Sequence, residues 1–156
     1  MKALSTAALA LAFALPLAGC FETIAGPYEG PDQVGFAQEL NGSYARAVNS
    51  VAASVPLTVE LISSSGTLSG DVTVPVIVDP AGTTAVEGQD YTFPNGSQVT
   101  IPAGSVTGTF TINTLARPAG TAARTLKIEL GSSADGAVTG AENFDDFTVT
   151  MRAVAP

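Results

Sequence analysis

Apolar and polar residues alternate with a period of two in two long stretches of the chain, 71–79 and 97–113. In the first, the apolar positions are Val72, Val74, Val76 and Val78. Successive side chains of a β-strand point to opposite faces, so this pattern predicts strands that each bury one face. This alternation restricts the fold more than any other feature, because it requires a sheet that covers the apolar row.

The same alternation recurs at Val55–Leu61, Leu126–Leu130 and Phe147–Met151, and Val34–Ala37 is a short candidate first strand. In residues 38–53, Ala45, Val48 and Ala52 could line a helical face, but the Asn-Gly and Asn-Ser pairs favour a loop, which we predict here. The glycine-rich stretch 131–143 is also predicted to be a loop. About seven to eight short strands separated by turns are typical of an all-β, antiparallel sandwich. No stretch predicts a helix of normal length.

Two turn signals predict hairpins around the central stretch 83–93. Pro102–Ser105 would join the two strand candidates of 97–113, and Asn95-Gly96 is a strong short hairpin signal. Across the second turn, we expect Tyr91 and Phe93 to pair with Val99 and Ile101. Their side chains would form an apolar ladder on one face.

The stretch Gly82–Tyr91, GTTAVEGQDY, resembles the G-T-A-x-x-G-x-D-Y signature of Calx-beta domains, and Val99–Ile112 is similar to the next strand pair of that family. The resemblance covers about residues 55–152 and implies an immunoglobulin-like β-sandwich. Leu115–Arg124 departs from the family, because it has no acid where Calx-beta domains usually carry D-x-x-x-E-x-x-E-x-F. This departure weakens the transfer of the calcium sites known in some members.

Residues 1–19 have the pattern of a bacterial lipoprotein signal peptide. Lys2 supplies the positive charge, Ala7–Pro16 the apolar run, and Leu17-Ala18-Gly19-Cys20 matches the lipobox. We expect cleavage before Cys20 and lipidation of this residue, whereas an ordinary secretory signal would leave an incidental cysteine. Because Cys20 is the only cysteine, the chain forms no internal disulfide. Residues 20–33 would then be a tether and 34–156 the Calx-beta-like domain.

The predicted anchor places the protein in the bacterial cell envelope, with the membrane as a partner. Phe21 follows the cysteine where an Asp would indicate inner-membrane retention, so the resemblance to lipoprotein sorting signals points to the outer membrane. Five cations against 14 acids leave the mature chain with a formal charge of −9. This charge disfavours nucleic acid as a partner.

The residues predict no enzyme activity. The chain has no His, which removes the commonest general base, and lipidation would consume Cys20. Lys127, the one lysine left after cleavage, alternates with core positions and is expected on a solvated face. Asp145 and Asp146 are adjacent, so on a strand they would point to opposite faces and would not converge.

Calcium is the one cofactor that the residues suggest, because it binds oxygen ligands. The candidate ligands lie in or beside predicted loops and would have to meet at one end of the sandwich: Glu87, Asp90, Glu142, Asp145 and Asp146. The alternative is solvated acidic loops, with Asp90 accepting hydrogen bonds from backbone amides of the bend before Tyr91.

These observations give two functional hypotheses. The first is a non-catalytic cell-envelope lipoprotein whose sandwich is a structural or interaction module for envelope proteins. The second is a ligand-binding module that takes a glycan or calcium on loops at one end of the sandwich. An exposed aromatic platform would favour the second hypothesis, whereas the aromatic content of 6% argues mildly against it.

Overall fold

The computed structural model describes residues 28–49 and 51–156. The predicted signal peptide, Cys20 and the first part of the tether lie outside these residues. The described strands are β1 Gln33–Phe36, β2 Ala45–Val48, β3 Ala53–Ile62, β4 Val72–Val78, β5 Tyr91–Thr92, β6 Gln98–Ile101, β7 Thr107–Thr114, β8 Arg124–Leu130, β9 Thr139–Gly140 and β10 Asp146–Met151. Within the described ranges, no helix is long and apolar enough to cross a membrane.

The strands form two five-stranded sheets packed as a sandwich, which confirms the predicted fold class. One sheet has the order β5-β7-β3-β1-β9 and the other β2-β10-β8-β4-β6. Most neighbours are antiparallel, but β1 pairs with β9 and β10 with β2 in parallel, so the sandwich is not purely antiparallel as predicted. Eight of the ten strands have four or more residues, which matches the predicted number.

The core lies between the sheets and is built from the alternating positions of both. In β3, every second residue from Val55 to Leu61 is buried, and β10 alternates in the same way from Phe147 to Met151. Because one face of each strand is apolar, closing the sandwich removes both rows from water together. The period-two pattern therefore identified the core.

The predicted loop at 38–53 is wrong, because it contains β2 and the start of β3. After β1 the chain leaves the first sheet and joins the second, where β2 runs parallel to β10. The guanidinium of Arg46 holds this crossing, since it pairs with Glu39 at 2.5 Å and its Nη1 donates to the Pro56 carbonyl at 2.9 Å. The alternation of apolar and polar residues in the alanine-rich β2 is too weak to predict a strand. We attribute the stability of this strand to its pairing with β10.

The two predicted hairpins are also wrong, although both turns exist. β5 pairs with β7, and β6 pairs with β4 in the opposite sheet, so the turn at Gly96 carries the chain between sheets. The turn at Gly104 likewise joins β6 to β7 without pairing them. Both glycines have positive φ, 78° and 73°, which a residue with a Cβ resists. The turn residues therefore predicted where the chain bends, but not which strands pair on either side of the turn.

Candidate functional site

The predicted calcium ligands fall into two groups at opposite ends of β10. Asp90 lies beside the end of this strand at Met151, whereas Asp145 and Asp146 lie at its start. Five residue steps along a strand span about 17 Å, far beyond the roughly 2.5 Å reach of a calcium–oxygen bond. The structure does not bring the five residues together, and no group of three acids that could hold a metal is found within 28–49 and 51–156.

At the Met151 end, a buried arginine occupies the space beside Asp90. Nη1 of Arg117 lies 3.8 Å from the Asp90 carboxylate and donates to the Ala122 carbonyl at 2.8 Å. Nη2 donates to the carbonyls of Met151, at 3.2 Å, and Arg152. Only 2% of the Arg117 side chain is exposed. One guanidinium thus ties the loop after β7 to the end of β10.

Asp90 itself has the structural role that the sequence suggested. Its Oδ2 accepts a hydrogen bond from the Val86 backbone N–H at 2.8 Å, which confirms the predicted contact with the bend before Tyr91. Tyr91 is buried, as expected for a core residue. Glu87, in contrast, is exposed on the same bend. Both oxygens of Asp90 are therefore engaged, one by an amide and the other by a cation of the protein.

At the Asp146 end, the acids are more exposed and surround a lysine. Nζ of Lys127 lies 3.2 Å from Asp79, 3.3 Å from Glu129 and 3.5 Å from Asp146 on the outer face of the second sheet. Hydrogen bonds to Asp79 and Glu129 raise the pKa of Lys127. This confirms that Lys127 faces outward. Its three carboxylate neighbours stabilise the ammonium form, which is a poor nucleophile and a poor base.

Asp145 and Glu142 take no part in this cluster of ion pairs. Partial burial raises the pKa of Asp145, and the negative charges of Asp146, Glu129 and Glu142 add to the effect. Glu142 is exposed. This end of β10 consequently carries an uncompensated negative charge that the Met151 end does not have.

An open hollow of about 510 Å³ lies where the chain enters the sandwich, between Asp32, the 68–73 segment and the 133–138 segment. Its carboxylates already hold loops together. Asp135 Oδ1 accepts from Ser133 Oγ at 2.6 Å and from Ala137 N at 3.1 Å, and Asp71 Oδ1 accepts from Ala103 N at 2.8 Å. The hydrogen bonds from Ser133 and Ala137 lower the pKa of Asp135. Asp135 and Gly136 lie in a turn inside the predicted loop at 131–143, which also contains the short strand β9.

A second hollow, of about 200 Å³, has aromatic walls. The rings of Tyr44 and Phe144 lie 5.7 Å apart at 54°, and 43% of Phe144 is exposed. Gly35, Glu60 and Ile62 complete the wall on the outer face of the first sheet. Phe36 also lines the hollow, although its ring is buried in the core against Phe147. This aromatic hollow is the surface that sequence reasoning missed.

The signals for the missed residues were weak. Tyr44 and Phe144 are 100 positions apart, in a segment predicted to be a loop and beside another. Gly35 was the one local hint, because a glycine inside a strand often marks a close approach. A Cβ at Gly35 would lie 2.9 Å from the Phe144 Cβ, so the glycine leaves room for this ring.

Comparisons with known proteins support the fold. No family model matches the chain, and no curated protein matches it. The structure is similar to the apo form of the Calx CBD1 domain, with a TM-score of 0.59 and 18% identity over 80% of this chain and 98% of that one. It is also similar to the Calx CBD2 domain, with a TM-score of 0.56 and 14% identity over 78% and 86% of the two chains.

A third similar structure comes from Bacteroides ovatus and is described as a carbohydrate-binding protein. The TM-score is 0.57 and the identity 12%, over 78% of this chain and 37% of that one. At these identities the likenesses concern the fold alone. They confirm the predicted Calx-beta-like, immunoglobulin-type β-sandwich.

Proposed function

We propose that the protein is a non-catalytic lipoprotein of the bacterial cell envelope, whose β-sandwich serves as an interaction module. The observation that carries this proposal is the lipobox Leu17–Cys20, followed by a short tether and then by a sandwich that begins at Gln33. Two or more acyl chains on one cysteine give stable membrane attachment, whereas one chain gives only a marginal hold. The absence of Asp after Cys20 supports the outer membrane as its location.

The geometry of the sandwich supports a body held with one end toward the membrane. β1 begins at Gln33, which pairs with Thr139 of β9, and β9 lies against Leu130 and Asp145. The chain therefore enters at the acidic end of β10. Anionic lipid headgroups repel this end, so the tether would hold the body above the surface and the end at Arg117 would point away.

Ligand binding is the second candidate function, and the aromatic hollow supports it. Exposed aromatic side chains favour ligand binding, and Tyr44 and Phe144 place two partly exposed rings beside Glu60. The similar protein described as carbohydrate-binding and the Calx domains show that this fold occurs in binding proteins. The two functions are compatible, because an anchored module can bind its partner through this hollow.

Lipidation is tested by metabolic labelling with an alkyne-tagged fatty acid, followed by intact mass of the mature chain. We expect the label on the wild-type chain in the membrane fraction and its loss in Cys20→Ser. Glu22→Gln, a change two residues away that leaves the lipobox intact, serves as the control and should keep the label. A wild-type chain without the label, or found in the soluble fraction after osmotic shock, would contradict the proposal.

A further inference from the structure

We propose that the aromatic hollow at Tyr44, Phe144 and Glu60 binds a single cationic side chain, the guanidinium of an arginine on a partner protein. This inference rests on the proposed function as an interaction module, and it names the chemistry of the group that the module recognises. Four properties of the hollow carry it: the position of its carboxylate, the fixed backbone that carries its exposed ring, the lack of an ion pair to Glu60 among the described residues, and its size.

The carboxylate and the ring share one face of the first sheet. Gly35 of β1 pairs in register with Glu60 of β3, so the Glu60 side chain stands next to the space above Gly35. That space holds Phe144, whose Cβ is 2.9 Å from where a Gly35 Cβ would be. A group resting on the Phe144 ring is consequently within reach of the Glu60 carboxylate.

The ring is exposed but its backbone is fixed. The Phe144 carbonyl accepts from Phe36 N at 2.7 Å, and Phe144 N donates to the Ala141 carbonyl at 2.8 Å. Asn143 holds a positive φ of 76°, a conformation that asparagine tolerates better than most residues. A partner would therefore meet a preorganised ring, which lowers the entropic cost of binding.

In the part of the chain that the structure describes, Glu60 forms no ion pair. Within the described residues, no Lys or Arg nitrogen lies within 4.0 Å of its carboxylate. Arg46 pairs with Glu39, Lys127 with its three acids, and Arg117 is buried. In a chain with a formal charge of −8, an unpaired carboxylate beside a ring face attracts a cation through both an ion pair and a cation–π contact.

Size and shape favour a side chain over a sugar. Pockets for larger ligands occupy roughly 300–1,000 Å³, whereas this hollow has about 200 Å³. Its two rings are tilted by 54°, so they form two walls and not the flat platform on which a pyranose stacks. A planar guanidinium can lie on one ring while its N–H groups reach the carboxylate.

The test is an NMR titration of the isotope-labelled full chain in detergent micelles, with the Gly35 amide as reporter. The probe is N-acetyl-arginine amide, compared with its neutral isostere N-acetyl-citrulline amide and with methyl glucoside. We expect a saturable shift with the arginine probe alone. Glu60→Gln should weaken binding about tenfold, as expected for loss of a charged hydrogen bond, and Phe144→Leu about threefold.

Glu87→Gln is the matched control, because it removes the same charge from an exposed site on the bend before Tyr91, away from the hollow, and should leave the affinity unchanged. Unchanged spectra away from the hollow would show that each variant folds. A saturable shift with methyl glucoside that persists in Glu60→Gln would show that the hollow binds a neutral sugar, and would overturn the proposal. The absence of any saturable shift with the arginine probe would also overturn the proposal. The proposed lipid anchor is tested separately by the fatty-acid label on Cys20, so the failure of one proposal can be told from the failure of the other.

Discussion

The two ends of β10 handle charge in opposite ways. At Met151, the protein neutralises a buried carboxylate with its own cation, Arg117, whose Nη atoms also bind three carbonyls. At Asp146, several carboxylates share one lysine and face the solvent. Both ends have ion pairs and hydrogen bonds, but only at the Met151 end is the cation buried, with 2% of the Arg117 side chain exposed against 29% of Lys127. The difference shows that acids near strand ends can be structural or solvated, and that burial with a partner decides which.

The difference between the two ends of β10 also affects where calcium could bind. The segment Leu115–Arg124 lacks the acids that Calx-beta domains usually carry, and Arg117 lies in this segment. Its guanidinium occupies the neighbourhood of Asp90 with a positive charge, which disfavours a metal cation there. We therefore expect the Met151 end to be stable without a metal.

The largest expected effect comes from removing the buried cation. Arg117→Met leaves Asp90 as an uncompensated buried charge and removes the hydrogen bonds to the Ala122 and Met151 carbonyls. Breaking a buried pair in this way costs about 3–5 kcal/mol. Urea unfolding followed by circular dichroism measures the loss. Arg124→Met, a surface change on β8, is the control. A small loss of unfolding free energy that is similar in both variants would show that Arg117 does not stabilise the Met151 end as a buried cation.

At the Asp146 end of β10, we expect a substitution to raise the stability of the fold, by a smaller amount. Burial raises the pKa of Asp145 above 3.8, so its ionised form destabilises the fold at neutral pH and its protonated form does not. Asp145→Asn should therefore raise the melting temperature at pH 7, with a gain in the free energy of unfolding of less than about 0.5 kcal/mol, since the group is only partly buried. The advantage should fade as the pH falls toward 3.8. A lower melting temperature at pH 7 would show that the carboxylate stabilises this end.

The smallest expected effect is that of calcium. A ligand that binds only the native state raises the melting temperature, by an amount that grows with its concentration. Because the acids stand at opposite ends of β10, we predict the same melting temperature in millimolar calcium and in chelator. An increase with calcium that disappears in Glu142→Gln would restore the calcium hypothesis for the acidic end.

The sequence predicted the parts of the fold that depend on local pattern. Alternation identified β3, β4, β7, β8 and β10 because each buries one complete row against the other sheet. It failed at β2, whose register is imposed by β10, and at the turns of Gly96 and Gly104. Those turns join different sheets, and the choice of sheet depends on contacts that a local pattern does not contain.

The candidate sites show the same limit. The role of Asp90 could be predicted because the Val86 amide is four residues away. Arg117, in contrast, meets Met151 and Arg152 across more than 30 positions, and Tyr44 meets Phe144 across 100. These groups come together only after the sandwich closes. Side-chain clusters built from distant segments are therefore readable from the structure and not from spacing.

The most direct test of the comparison is a double-mutant cycle with Arg117→Met and Asp90→Asn. If Arg117 neutralises Asp90, the amide removes the stranded charge, so the double variant should be more stable than Arg117→Met alone. Urea unfolding of the four proteins gives the coupling free energy, which we expect to be on the order of 1–3 kcal/mol. Strictly additive losses, with a double variant less stable than either single variant, would contradict internal neutralisation at this end.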